Sequence, residues 1–185
     1  MIRETLAHAE DRMKKTADRF KSDLQGIRTG RASISLVENI EVDAYNSRMK
    51  LNQLAGFNVV EGRIIEIRPW DAAMLPSIEK AIQASALGLT PLNDGKIIKL
   101  TVPSLTDERR RELERQVNKM AETYRVAVRN ERRTAMETVK KLMKDKKISE
   151  DDERSAETQL QKMTEAHIAK LDELLAHKLK EIAES

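Results

Sequence analysis

The sequence predicts an α+β fold that is mainly helical: an antiparallel three-helix bundle carrying an inserted small β/α/β domain. Three observations predict it. Apolar residues recur every three or four positions over residues 2–28 and again beyond residue 106, the period of one helix face. Between residues 36 and 100 the pattern changes to short runs of β type. Charged residues make up 35% and aromatic residues 3% of the 185, so aliphatic side chains on amphipathic helices must do most of the packing.

The first helix shows its face in Ile2, Leu6, Ala9, Met13, Ala17, Phe20, Leu24 and Ile27, with Gly26 and then Thr29-Gly30 as the expected C-terminal stop. VENIEVDAY, FNVVEG, RIIEIRPW and KIIKLTV predict strands, set apart by Asn-Ser, Glu-Gly and Asn-Asp-Gly turn signals. Within that region DAAMLPSIEKAIQASALGL predicts a helix with Pro76 in an early turn, Ile78, Ile82 and Leu87 on one side, and Gly88 as its stop. Trp70 is expected as a buried anchor of the small domain, with a binding platform as the alternative.

After Pro103 the helical period returns. Thr106 is a candidate N-cap, and Asp107 and Glu108 complement the dipole in the first turn. Leu113, Val117, Met120, Tyr124, Val128, Ala135, Val139 and Leu142 keep one apolar face. DKKISEDDERSAE ends this helix and starts the last one, with Ser149 as N-cap, Ile148 as staple, and Glu150 to Glu153 as first-turn acids rather than a cation site, which would need spaced ligands and a glycine. Ala156, Leu160, Met163, Ile168, Leu171, Leu175 and Ile182 face inward from it.

Long amphipathic helices satisfy each other's apolar faces by bundling, and the short link between the second and third makes those two antiparallel. Residues 1–29 and 106–185 are therefore assigned to the bundle and 30–105 to the insertion. Hinges are expected near 29–33 and 102–105, at Thr29, Gly30, Arg31, Ala32 and Ser33 on one crossing and Pro103, Ser104 and Leu105 on the other.

Several function classes are excluded. The chain has no cysteine, so thiolate metal sites and a cysteine nucleophile are ruled out. His8, His167 and His177 lack ligand spacing, and there is no GxxxxGK[ST] or GxGxxG phosphate loop. No catalytic constellation and no cofactor are expected. A charged N-terminal stretch and the lack of an apolar run of roughly 20 residues point to a cytoplasmic protein with no membrane role.

The net charge of +3 is uneven: +2 over residues 1–30, 0 over 31–105, +6 over 106–147 and −5 over 148–185. On a helical wheel Arg111, Arg115, Arg125, Arg129, Arg132, Arg133 and Lys140 fall opposite the apolar face of the second long helix. Pairing with Glu122, Glu131 and Glu137 accounts for part of this stripe. It does not account for eight arginines against one lysine from 109 to 133, because lysine solubilises a helix equally well and arginine has the flat fork suited to phosphate. Structured RNA, recognised by shape and backbone, is the expected partner.

The stretches IRTGRAS (27–33), EKAI (79–82), GL before a proline (88–91), LTDERRRELE (105–114), VAVRNERR (126–133) and KDKKISEDDER (144–154) closely resemble, in order and spacing over the whole chain, the bacterial ribosome recycling factor family. The resemblance implies an L-shaped monomer that is not an enzyme. It implies binding to the post-termination ribosome, with elongation factor G using GTP to split the subunits while the small domain moves about the hinge. The family's arginines for large-subunit ribosomal RNA correspond here to Arg109, Arg110, Arg129, Arg132 and Arg133. On this reading Val126 and Val128 turn toward the bundle. The alternative is a coiled-coil adaptor acting by protein association. It predicts self-association and gives no reason for the neutral insertion.

Overall fold

The computed structural model describes residues 1–185 and divides into two compact units, one formed by Met1–Arg28 with Asp107–Glu184 and the other containing Thr29–Thr106. In the first unit the long heptad-like runs form three helices: α1 (Ile2–Gln25), α3 (Asp107–Lys144) and α4 (Glu150–Glu184), with α2 lying in the other unit. All three pack against one another. Met13, Phe20, Val117, Ala121, Val128, Val139, Ala156, Leu160, Leu171 and Ile182 are buried between them. The Phe20 and Tyr124 rings tilt together at 5.2 Å, and the Tyr124 hydroxyl donates to Asp23. That bond, together with partial burial, raises the Tyr124 pKa.

Chain chemistry explains where these helices stop. α3 closes with Lys147 N–H on the Leu142 carbonyl and Lys146 N–H on the Met143 carbonyl, both at 2.9 Å. This is a Schellman arrangement whose left-handed residue is Lys146, at φ 54°, rather than a glycine. α4 opens on a reciprocal cap: Asp152 N–H donates to Ser149 Oγ at 3.1 Å while Ser149 N–H donates to Asp152 Oδ2 at 3.0 Å. α1 ends differently from the expected glycine stop. Gly26 keeps a right-handed φ of −71°, and the Ile27 carbonyl just beyond accepts from Lys178 Nζ on α4 at 2.9 Å. The left-handed glycine is Gly30, at φ 72°.

The second unit contains more strands than the four sequence runs. β1 (Glu41–Ala44) and β2 (Ser47–Lys50) form a two-stranded hairpin. β3 (Ala55–Val60), β4 (Ile64–Pro69), β5 (Pro91–Asn93) and β6 (Ile98–Thr101) form an antiparallel sheet in the order β3-β4-β6-β5, with α2 (Leu75–Ala84) between β4 and β5 in sequence. Ile65, Ile67, Ile98 and Leu100 alternate into a core shared with Leu75, Ile78 and Ile82 of α2. The tips of the β1–β2 and β3–β4 hairpins bend through left-handed pairs, Tyr45-Asn46 and Glu61-Gly62, as the twist of adjacent strands requires.

The sequence reading is corrected at three places here. Residues 37–39 are turn and the strand begins only at Glu41, because Ser33 caps a 3-10 turn at Ile34–Leu36 and both Val37 and Glu38 N–H donate to the Ile34 carbonyl. α2 stops at Ala84, short of Leu87. Ser85 turns extended and both its N–H and its hydroxyl donate to the Ile82 carbonyl, in competition with the helix ladder. Trp70 is 70% exposed instead of buried.

Both strands of chain that bound this unit are fixed to one turn. Ala32 N–H donates to the Gly62 carbonyl at 3.0 Å, and Val102 N–H donates to the Arg63 carbonyl at 2.8 Å. Gly30 lies against the other crossing: a Cβ there would meet Leu105 Cγ at 3.1 Å and the Pro103 carbonyl oxygen at 3.3 Å.

Candidate nucleic-acid interface

The arginines of α3 divide by position and by partner. Arg109 and Arg110 sit in its first turns, where Arg109 pairs with Glu112 at 2.9 Å and Arg110 with Asp107 at 3.2 Å. Arg129, Arg132 and Arg133 lie about 20 residues further along, which at 1.5 Å per residue is roughly 30 Å away. The structure therefore brings these five residues together as two clusters on one rod, not as one patch.

Within the second cluster the charges are in different states. Arg125 is held by α4: its Nε and Nη2 donate to Asp172 Oδ1 at 2.9 and 2.6 Å, and its Nη1 donates to Glu122 at 3.1 Å. Asp172 first, and Glu122 after it, raise the Arg125 pKa further, and Arg125 in turn lowers that of Glu122. Arg129 shares Glu122 at 3.2 Å. Glu131, expected as a partner of this stripe, pairs instead with Arg12 of α1 at 2.8 Å. Arg132 Nη1 donates to the neutral Gln161 Oε1 of α4 at 2.7 Å, and Arg133 is exposed with no carboxylate partner in the chain. Exposed pairs such as Arg129–Glu122 are weak and are readily exchanged for a phosphate.

Arg125 thus leaves the outward stripe and becomes a link between α3 and α4. Val126 is 44% exposed, so only Val128 of that pair turns inward. The separation of the two follows from the helical turn: residues two apart lie about 200° around the axis from each other. The pairings of Arg125 with Asp172 and Arg132 with Gln161 were not read from the sequence. A signal existed, because residues about equally far from the turn after α3 face each other in an antiparallel helix pair, and both pairings follow that rule to within one helical turn. Outside the bundle, Tyr45 Oη donates to Asp71 Oδ2 at 2.8 Å beside the exposed Trp70. No group of His, Asp and Glu side chains is arranged to hold a metal, and no helix is long and apolar enough to cross a membrane.

A family profile described as ribosome recycling factor matches residues 20–183. The chain belongs to that family. It is 50% identical over 181 residues to the ribosome-recycling factor of Desulfotalea psychrophila, covering 98% of both chains. It is 49% identical over 174 residues to that of Endomicrobium trichonymphae, covering 94% of both. Among solved structures, a solution structure of a ribosome recycling factor is 41% identical, with a TM-score of 0.75 over all of this chain and 98% of that one. The T. thermophilus ribosome recycling factor, described with E. coli elongation factor G on the E. coli post-termination complex, is 40% identical, with a TM-score of 0.63 over 98% of each chain. Ribosome recycling factors are translation factors, and the three-helix bundle with a small antiparallel sheet unit described above is this family's fold.

Proposed function

We propose that this protein binds the post-termination ribosome in the cytoplasm and, with elongation factor G and GTP, splits it into subunits. In this reading the bundle grips large-subunit ribosomal RNA through Arg109, Arg110, Arg129, Arg132 and Arg133, and the chain itself performs no chemistry. One observation carries the site: Arg132 and Arg133 keep their charge uncancelled on a rigid helix, beside an Arg129 whose only carboxylate is shared. Such an array fits phosphates at fixed spacing and leaves the ligand to balance its charge.

The small unit is the mobile partner of the bundle. In this reading the chain turns near 29–33 and 102–105, where Ala32, Ser33 and Val102 are tied into the small unit by backbone bonds and a cap.

Cosedimentation with purified bacterial ribosomes across a salt series tests this reading. Wild-type protein binds and its affinity falls with salt, Arg132→Gly binds at least tenfold more weakly while keeping its helical spectrum, and subunits form only when elongation factor G and GTP are both added. Folded wild-type protein that fails to bind at low salt, but self-associates, would instead establish the coiled-coil adaptor.

A further inference from the structure

A long cation can be held by its neighbours in three ways. A carboxylate orients it and cancels its charge, open water leaves it charged and mobile, and an amide oxygen orients it while leaving its charge for a ligand. All three occur along one stretch of α3. Arg125 and Arg129 meet carboxylates, Arg133 meets none, and Arg132 meets the Gln161 amide oxygen at 2.7 Å. The far end of that amide is fixed too, since Gln161 Nε2 donates to Glu165 Oε1 at 2.7 Å. The Glu165 carboxylate therefore aligns the amide, and the amide oxygen is what Arg132 meets.

We propose that Gln161 is a positioning residue for Arg132: a side chain of α4 that holds the guanidinium over the groove between α3 and α4, oriented but unneutralised, for a ribosomal phosphate. The groove is lined by Arg132, Met136, Glu157, Thr158, Gln161 and Lys162. The inference rests on the RNA-binding role of Arg132 set out above. Its physical basis is preorganisation, because an arginine already held in one rotamer loses less freedom on binding. It also extends the site: the bundle meets RNA with two helices, and α4, acidic overall, contributes an amide at this position.

Two substitutions separate orientation from charge. Gln161→Ala removes the holder and leaves the charge. Gln161→Glu keeps an acceptor for Arg132 and cancels its charge, while giving up the bond to Glu165. Dissociation constants for purified 70S ribosomes are measured over a salt series, with a thermal melt for each variant. Gln161→Ala should bind about three- to tenfold more weakly with an unchanged salt slope. Gln161→Glu should bind at least as weakly, with the slope of log affinity against log salt reduced by about one, while still melting as a folded protein. Wild-type affinity in Gln161→Ala, or equal losses at equal slopes in both variants, would overturn the proposal while the RNA-binding reading stands. Failure of the wild type itself to bind would overturn that reading, and this one with it.

Discussion

The helical unit and the mixed unit differ in where they keep their outward-facing features. In the bundle these are long cations on one helix of 38 residues, and no tight turn is needed to present them. In the mixed unit they are hairpin tips and rings: Tyr45, 61% exposed at φ 50°, and Trp70. The bundle's surface is set by a period, so any core residue supports a site many turns away. The mixed unit's surface is set by local backbone conformations, several of them left-handed at residues other than glycine. Damage to the first should therefore spread along the helix, and damage to the second should stay local.

The strongest test of that contrast is a pair of core deletions. Phe20→Ala should cost about 3–5 kcal/mol and Ile67→Ala about 2–5 kcal/mol, both side chains being fully buried. Hydrogen exchange by segment should show protection lost throughout α1, α3 and α4 in the first variant and confined to residues 29–106 in the second. Equal loss in both units from either change would break the contrast. A smaller effect is expected at the crossing between units. Gly30→Ala puts a methyl group 3.1 Å from Leu105 Cγ at a φ of 72°, for about 1–2 kcal/mol read from a denaturant midpoint.

Smaller again, and opposite in sign, is Lys146→Gly. Relief of a left-handed lysine at an exposed helix end should raise stability by about 0.5 kcal/mol, seen as a small rise in melting temperature. The smallest is a pH effect at the α4 cap. The Ser149 N–H, and then its hydroxyl, hold the Asp152 carboxyl below its ordinary value of 3.8. A depressed acid contributes stability that is fully present above that value and is lost as pH falls through its lower folded value. Asp152→Asn should flatten that acid limb in pH-dependent melts, by lowering the melting temperature slightly at pH 7 and leaving it almost unchanged at acid pH.

The helices were legible in the sequence because a period repeated many times outweighs any single residue. β2 and β5 were not. SRMK has only one partly buried residue of four, and PLN begins with a proline on an edge strand, so neither shows alternation. Trp70 was misread because size argues for burial on average, while its place beyond the last residue of β4 turns it to solvent. For the site, composition showed that α3 carries excess arginine, and position on the wheel chose the outer face. Which arginines are left without a compensating carboxylate depends on α4, through Asp172 and Gln161, and partners 47 and 29 residues away are set by helix pairing rather than by local pattern.

The fastening of Ala32 and Val102 to adjacent residues of one hairpin turn has a consequence for how the chain assembles. Contacts between α1 and α3 close a loop of roughly 75 residues, which for a flexible chain costs on the order of 4 kcal/mol in entropy. Once the insertion has folded, its two ends already lie side by side, and most of that closure is complete before the bundle forms. The insertion thereby lowers the effective contact order of the helices around it. A fold that looks interrupted in sequence is, kinetically, a short-looped bundle.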